Sequence, residues 1–111
     1  MPKRTIMIIF GTRPEAIKMA PVILELQKNP AIRTVTVSTS QHREMLQQVM
    51  DLFQIVPDYD LEIMQRNQTL NQIVEKAMRG FHRVFAQEKP DVILVQGDTS
   101  TAFVGALAGF Y

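Results

Sequence analysis

Two short polar segments carry the residue types best suited to chemistry. One is Gly11-Thr12-Arg13-Pro14-Glu15 and the other is Gly97-Asp98-Thr99-Ser100. Arg13 offers a planar fork of donors that suits phosphate, and no helix cap needs an arginine. Gly11 permits close approach of a ligand, or a strained turn. Asp98 is a candidate acid or base beside two hydroxyl residues. Each segment also has a plainer reading. Thr12 and Glu15 have capping-box spacing, and Pro14 suits a first helical turn. Asp98 is itself a good helix cap, although Thr99 and Ser100 are equally good ones next to it. The glycines do not form the three-glycine dinucleotide fingerprint, so a nicotinamide cofactor held in that way is not expected. A third cluster, Gln41-His42-Arg43-Glu44-Met45, is weaker. Met45 reads as core and Arg43 as a solvated helix residue, while Gln41 and His42 stand at a helix start.

The elements that must position these segments follow from hydrophobic period. Thr5 to Phe10 (TIMIIF) is almost continuously apolar, as expected of a parallel strand buried on both faces. A helix is expected over about 14–28, with Ala16, Ile17, Ala20, Ile23 and Leu24 on one face and a bend at Pro21. A second strand is expected near 33–39, with Val35 and Val37 alternating against Thr34, Thr36 and Ser38. The next helix, about 42–53, has a stripe of Met45, Leu46, Val49, Met50 and Phe53. Pro57 to Leu61 reads as a turn into a short extended piece. Thr69 and Gln72 form a second capping box, opening a helix with Leu70, Ile73, Val74, Ala77, Phe81, Val84 and Phe85 inward. Lys89-Pro90 closes it, 91–96 (DVILVQ) is a buried strand, and an apolar helix runs from about Ser100. His82 reads as a surface or flanking residue. Gly105 and Gly109 suggest close helix packing rather than a membrane contact. The order is that of a doubly wound, Rossmann-like α/β sheet. Both polar segments then follow strands and open helices at the carboxyl edge, where such sheets bind ligands and where helix N–H groups are expected to be free for an anion.

Composition narrows the function classes. With 111 residues, 46% of them apolar and 21% charged, the chain is expected to be a single soluble globular unit. A net charge of +1 argues against a dedicated nucleic-acid binder. The absence of cysteine excludes a disulfide framework and thiolate metal sites, and two distant histidines make a zinc cluster improbable. No stretch has the pattern of a secretory signal or the length of a membrane span, so the expected location is cytoplasmic. The last helix is apolar on nearly every side with no further strand to cover it, and on that ground the domain is expected to be unfinished.

On these residues the chain closely resembles the non-hydrolysing UDP-N-acetylglucosamine 2-epimerases of bacteria. The resemblance covers essentially the whole chain. It rests on FGTRPEAIKMAP at 10–21, QHREML at 41–46, PDYDL at 57–61 and GDT at 97–99, of which the first is the most specific. It implies two Rossmann-like domains arranged as in the B-type glycosyltransferases, with the active site in the cleft between them. The present residues would form part of the first domain, with the second absent. The implied reaction inverts carbon 2 of UDP-N-acetylglucosamine to give UDP-N-acetylmannosamine, by eliminating UDP to leave a 2-acetamidoglucal and then adding UDP back. It requires no metal or redox cofactor. The resemblance assigns acid–base work, or its organisation, to Asp98. It puts Arg13 near the nucleotide phosphates and makes Lys18 a further substrate contact beside Gly11. Gln41, His42 and Gln68 match or neighbour a second UDP-N-acetylglucosamine site that activates some members, and the complete enzyme is expected to be a homodimer. Two positions depart from the pattern. Gln96 stands where many relatives have histidine before GDT, and Asn67 where some regulated relatives have arginine. Two alternatives remain: a stand-alone nucleotide-binding or interaction module, and part of a hydrolysing relative that releases UDP and free N-acetylmannosamine.

Overall fold

The computed structural model describes residues 3–40, 43–63 and 67–111. Its elements alternate as β1 (Arg4–Phe10), α1 (Arg13–Gln27), β2 (Ile32–Ser38), α2 (Arg43–Phe53), β3 (Tyr59–Asp60), α3 (Leu70–Glu88), β4 (Val92–Leu94) and α4 (Ser100–Phe110). The strands form one parallel sheet in the order β3-β2-β1-β4. β1 is central, paired with β2 over its whole length and with β4 from Ile6 to Ile8. The expected doubly wound α/β arrangement is therefore present. β4 is shorter than the run 91–96 suggests.

The central strand divides the interior into two cores through its two-residue side-chain period. Ile8 and Phe10 pack with Ala16, Met19, Ala20 and Ile23 of α1 and Leu46, Val49 and Met50 of α2. Met7 and Ile9 face the other way, with Val35 and Val37 of β2, against Ile73, Ala77, Phe81 and Val84 of α3 and Val104 of α4. Thus α1 and α2 cover one face of the sheet and α3 and α4 the other.

Several faces were expected to be more buried than they are. Met45, read as core, is 43% exposed, Ile17 47% and Leu70 69%. Ile17 and Met45 sit at the margin of their helix's apolar stripe, whereas Leu70 is in line with Ala77 and Phe81 but is the first residue of α3, at the exposed end of the helix. Met19 takes the inward place that Ile17 was expected to hold. α1 continues through Pro21, which lies on its exposed side. The Thr69 cap forms as expected: the Thr69 hydroxyl accepts from the Gln72 N–H at 3.1 Å, and the Gln72 side-chain oxygen accepts in turn from the Thr69 N–H at 2.8 Å. Lys89 ends α3 in the left-handed region at φ 48°, and its N–H bonds the Phe85 carbonyl. His82 is exposed, as expected. A β-carbon on Gly105 would lie 3.2 Å from both Ile9 and Val95, so the glycine lets α4 close onto the sheet.

At the sheet's amino edge, Arg33 holds the end of α3 with a fork. Its Nη1 lies 2.9 and 3.2 Å from the Glu88 carboxylate oxygens, and its Nε donates to Thr5 Oγ1 at 3.2 Å. Asp91 closes the same edge by accepting from the Thr5 N–H at 2.7 Å. The outer side of α3 and α4 is less well covered. A groove of about 1090 Å³ runs along Met78, Phe85, Ala108 and Tyr111, and Phe110 and Phe103 stand 85% and 62% exposed. Exposed aromatic side chains beside an apolar groove favour association. An environment-sensitive hydrophobic dye should therefore brighten on the native chain, and sedimentation velocity should show association that grows with concentration. A dye-silent species that stays monomeric at every concentration would contradict this.

Candidate functional site

Strand order locates the crevice before any side chain is considered. From β1 the chain moves outward to β2 and β3, then returns across the sheet to place β4 on the other side of β1. The turning point lies between β1 and β4, and in open α/β sheets ligands bind beyond the strand ends at such a point. The loops that follow these two strands are the two polar segments. Between them lies a cavity of about 230 Å³ whose walls include Thr12, Pro14, Lys18, Gln96, Gly97 and Asp98.

Glu15 joins the two loops. It is 3% exposed, and no lysine or arginine among the described residues pairs with it. Its Oε1 accepts from the Gly11 N–H at 2.8 Å and from the Thr12 N–H at 3.2 Å, and its Oε2 accepts from the Thr99 hydroxyl. A buried carboxylate is tolerable when donors replace the lost water, and here three do so. This narrows the expectation that the β1–α1 loop presents free N–H groups to an anion: Gly11 and Thr12 give theirs to Glu15 and Pro14 has none, which leaves the Arg13 N–H at the start of α1. Gly11 is buried without a left-handed φ, so the strained turn is not there.

The strained turn belongs to the other loop. Gly97 has φ +91°, in the left-handed region that costs other residues a steric clash. Two residues on, Thr99 is the cap of α4: its hydroxyl oxygen accepts from the Ala102 N–H at 3.2 Å while its proton goes to Glu15. Asp98 is therefore not the cap. It is exposed on the cavity wall and makes no hydrogen bond to another described residue. A second tie lies beneath, where the buried hydroxyls of Thr39 and Thr101 meet at 2.8 Å and join the end of β2 to the first turn of α4.

The remaining candidates divide. Arg13 opens α1, is exposed and forms no ion pair among the described residues. Lys18, one turn on, is exposed and lines the cavity. The cavity wall thus carries one cation, Lys18 of α1, and the Asp98 carboxylate of the β4–α4 loop, while Arg13 stands exposed next to Thr12 and Pro14 but is not part of the lining. Gln68 lies outside it, and its side-chain amide donates to the Ile63 carbonyl at 2.8 Å. Gln41 and His42 lie outside the described residues. Gln96, notable in the sequence only as a departure, lines the cavity. The Glu15–Thr99 bond was not foreseen. Its partners are 84 positions apart, and each looks like an ordinary capping residue of its own helix. Among the described residues no group of three possible metal ligands occurs. The Tyr59 phenol is pushed above its usual range, first by burial and then by the Glu88 carboxylate, but it stands at the Arg33 cluster and not at the cavity.

The fold and the crevice define a Rossmann-like α/β domain with its ligand edge between β1 and β4. Comparison with known proteins narrows the class. The model of the UDP-N-acetylglucosamine 2-epimerase family matches residues 24–111. A Bacillus subtilis (strain 168) protein named UDP-N-acetylglucosamine 2-epimerase is 53% identical over all 111 residues, which are 29% of its own length. A crystal structure of UDP-GlcNAc 2-epimerase from Neisseria meningitidis bound to UDP-GlcNAc superposes with a TM-score of 0.91 at 53% identity, over 96% of this chain and 29% of that one. The Methanocaldococcus jannaschii UDP-GlcNAc 2-epimerase in complex with UDP-GlcNAc and UDP gives 0.87 at 35% identity, over 95% of this chain and 29% of that one. The chain belongs to the UDP-N-acetylglucosamine 2-epimerase family, and it spans less than a third of the length of these relatives. No helix among the described residues is long and apolar enough to cross a membrane.

The division of labour between Asp98 and Thr99 can be measured on the chain itself. Urea denaturation should show Asp98→Asn within about 0.5 kcal/mol of the parent, as for a surface residue without partners. Thr99→Ala should cost about 1–3 kcal/mol, because it removes a cap and one donor from a buried carboxylate. The reverse ranking would make Asp98 the cap.

Proposed function

We propose that these residues supply one wall of the active site of a UDP-N-acetylglucosamine 2-epimerase, an isomerase that interconverts UDP-N-acetylglucosamine and UDP-N-acetylmannosamine. The reading is carried by one observation above the others. Asp98, freed from capping by Thr99, presents to the cavity at the sheet's switch point a carboxylate without a partner among the described residues. Membership of the family supports the choice of substrate.

In this reading a base removes the proton from carbon 2 while the bond from carbon 1 to the UDP oxygen breaks. UDP leaves with that electron pair, and 2-acetamidoglucal remains. UDP then adds back at carbon 1 as a proton returns to the opposite face of carbon 2. Asp98 is the carboxylate here that can take or return a proton, or organise the group that does. Positioned acid–base groups of this kind typically contribute about 10²–10⁴ in rate. Negative charge grows on the departing diphosphate, so fixed cations near it favour the transition state over the ground state. Lys18 lines the cavity, and Arg13, exposed at the start of α1 beside Thr12 and Pro14 of the cavity wall, is the second cation in this role. Gly11, buried at the end of β1, is the position in this reading where the backbone permits close approach of the ligand. A second domain closes the other side of the cleft, and the complete protein assembles as a homodimer. An activating UDP-N-acetylglucosamine site involving Gln41, His42 and Gln68 belongs to the same reading.

The test is a chimera in which the 111 residues replace the equivalent segment of the Bacillus subtilis relative. It should interconvert the two UDP sugars, whereas the 111 residues alone should give no epimer, because one wall does not make a cleft. Asp98→Asn in the chimera should lower the rate at least about a hundredfold with melting unchanged, and should slow exchange of the carbon-2 proton with deuterated solvent in parallel. Arg13→Ala should lose about 2–5 kcal/mol of substrate use, with Arg13→Lys recovering only part. Near-normal rates in both variants would overturn the assignment.

A further inference from the structure

The two capping boxes of this chain solve the same problem with different chemistry. In α3 the neutral Gln72 accepts from the Thr69 N–H on an exposed surface, and that is sufficient. In α1 the same place is taken by a carboxylate buried to 3% exposure with no cation paired to it among the described residues. Capping does not require this, since a glutamine oxygen serves equally well. The difference lies in the second oxygen. Glu15 Oε2 accepts the proton of Thr99, whose own oxygen is already committed to the Ala102 N–H. A glutamine in place of Glu15 has one acceptor oxygen, which the Gly11 and Thr12 N–H groups require, and would leave the Thr99 proton facing an amide nitrogen.

What Glu15 holds is the segment that carries Asp98. Asp98 lies between Gly97, bent at φ +91°, and Thr99, tied through its hydroxyl to Glu15. Gly97 itself packs beside the same carboxylate, where an added β-carbon would meet Glu15 Oε2 at 3.8 Å. The other end of Glu15's reach is the β1–α1 loop, next to Arg13. One buried carboxylate thus fixes the distance between the loop bearing the candidate acid–base group and the loop bearing the candidate phosphate contact. We propose that Glu15 is a positioning residue for the epimerase reaction: it locks the Gly97–Thr99 turn onto the β1–α1 loop, and it aligns Asp98 without touching the substrate. This rests on the function proposed above. Reacting groups misplaced by about 1 Å can lose on the order of a hundredfold in rate, so such a lock matters even at a distance from the chemistry.

The first arm of the test uses the 111-residue chain, labelled with nitrogen-15, carrying Glu15→Gln. The spectrum should stay that of a folded protein, and the Gly11 and Thr12 amides should keep their protection, because the glutamine oxygen still accepts from them. The Gly97, Asp98 and Thr99 amides should shift, and should exchange with solvent at least about tenfold faster as the turn is released. Unchanged amides at 97–99 would overturn the lock. The second arm uses the chimera with the Bacillus subtilis relative. Glu15→Gln should lower kcat at least about thirtyfold while KM stays within about threefold, and Thr99→Val added to it should cost less than about threefold more, since both remove one bond. A normal kcat with only a lower Tm, or losses that multiply independently, would reduce Glu15 to a structural cap and overturn the proposal. An unsubstituted chimera without epimerase activity is a different failure. It would overturn the functional reading, and the amide measurements would still decide whether Glu15 holds the turn.

Discussion

A buried carboxylate that receives three hydrogen bonds from two separate loops sets the geometry of this domain's ligand edge. Glu15 costs free energy to bury, and the bonds donated by Gly11, Thr12 and Thr99 offset that cost. Those bonds tie the start of α1 to the start of α4. Thr39 and Thr101 repeat the tie one layer deeper, between β2 and α4. Because these bonds are internal, the loops' own polar groups are largely spent on one another. What remains turned toward the cavity or solvent is Asp98, Lys18 and Arg13, a carboxylate and two cations without partners among the described residues.

The sheet makes this arrangement possible. β1 alternates strictly, with Met7 and Ile9 in one core and Ile8 and Phe10 in the other, so it must be covered on both faces. Parallel neighbours on both sides bring the ends of β1, β2 and β4 to a common edge. The chain's return from β3 to β4 opens the crevice next to β1. Gly105 lets α4 sit close enough to Ile9 and Val95 for its first turn to reach Glu15 and Thr39. Packing in the second core thus reaches the site through the placement of one helix.

Much of this was legible in the residues. TIMIIF announces a strand buried on both faces, the amphipathic stripes announce α2 and α3, and the order of elements announces a doubly wound sheet. Both site loops were recognisable from polar residues that follow apolar runs. Helix margins were less legible, because periodicity shows which face is apolar but not how wide the covering sheet is. Met45 and Ile17 are exposed for that reason, and Leu70 because it opens α3. The role of Glu15 was hidden more deeply. Its spacing from Thr12 explained it completely as a local cap, and nothing local marks a bond to Thr99 on the far side of the switch point. The choice between Asp98 and Thr99 as cap was likewise open in sequence, since both types cap well, and only the backbone course settles it.

The account's central claim is that the two loops joined by Glu15 form one wall of a UDP-sugar site. The most direct measurement is a crystal structure of the chimera carrying these 111 residues, grown with UDP-N-acetylglucosamine. It should show the diphosphate within hydrogen-bonding reach of Arg13 or Lys18, the Asp98 carboxylate facing carbon 2 of the sugar, and Glu15 still holding Gly11, Thr12 and Thr99 out of contact with the ligand. A ligand seated away from the β1–α1 and β4–α4 loops, or a Glu15 carboxylate turned onto the sugar nucleotide, would contradict it.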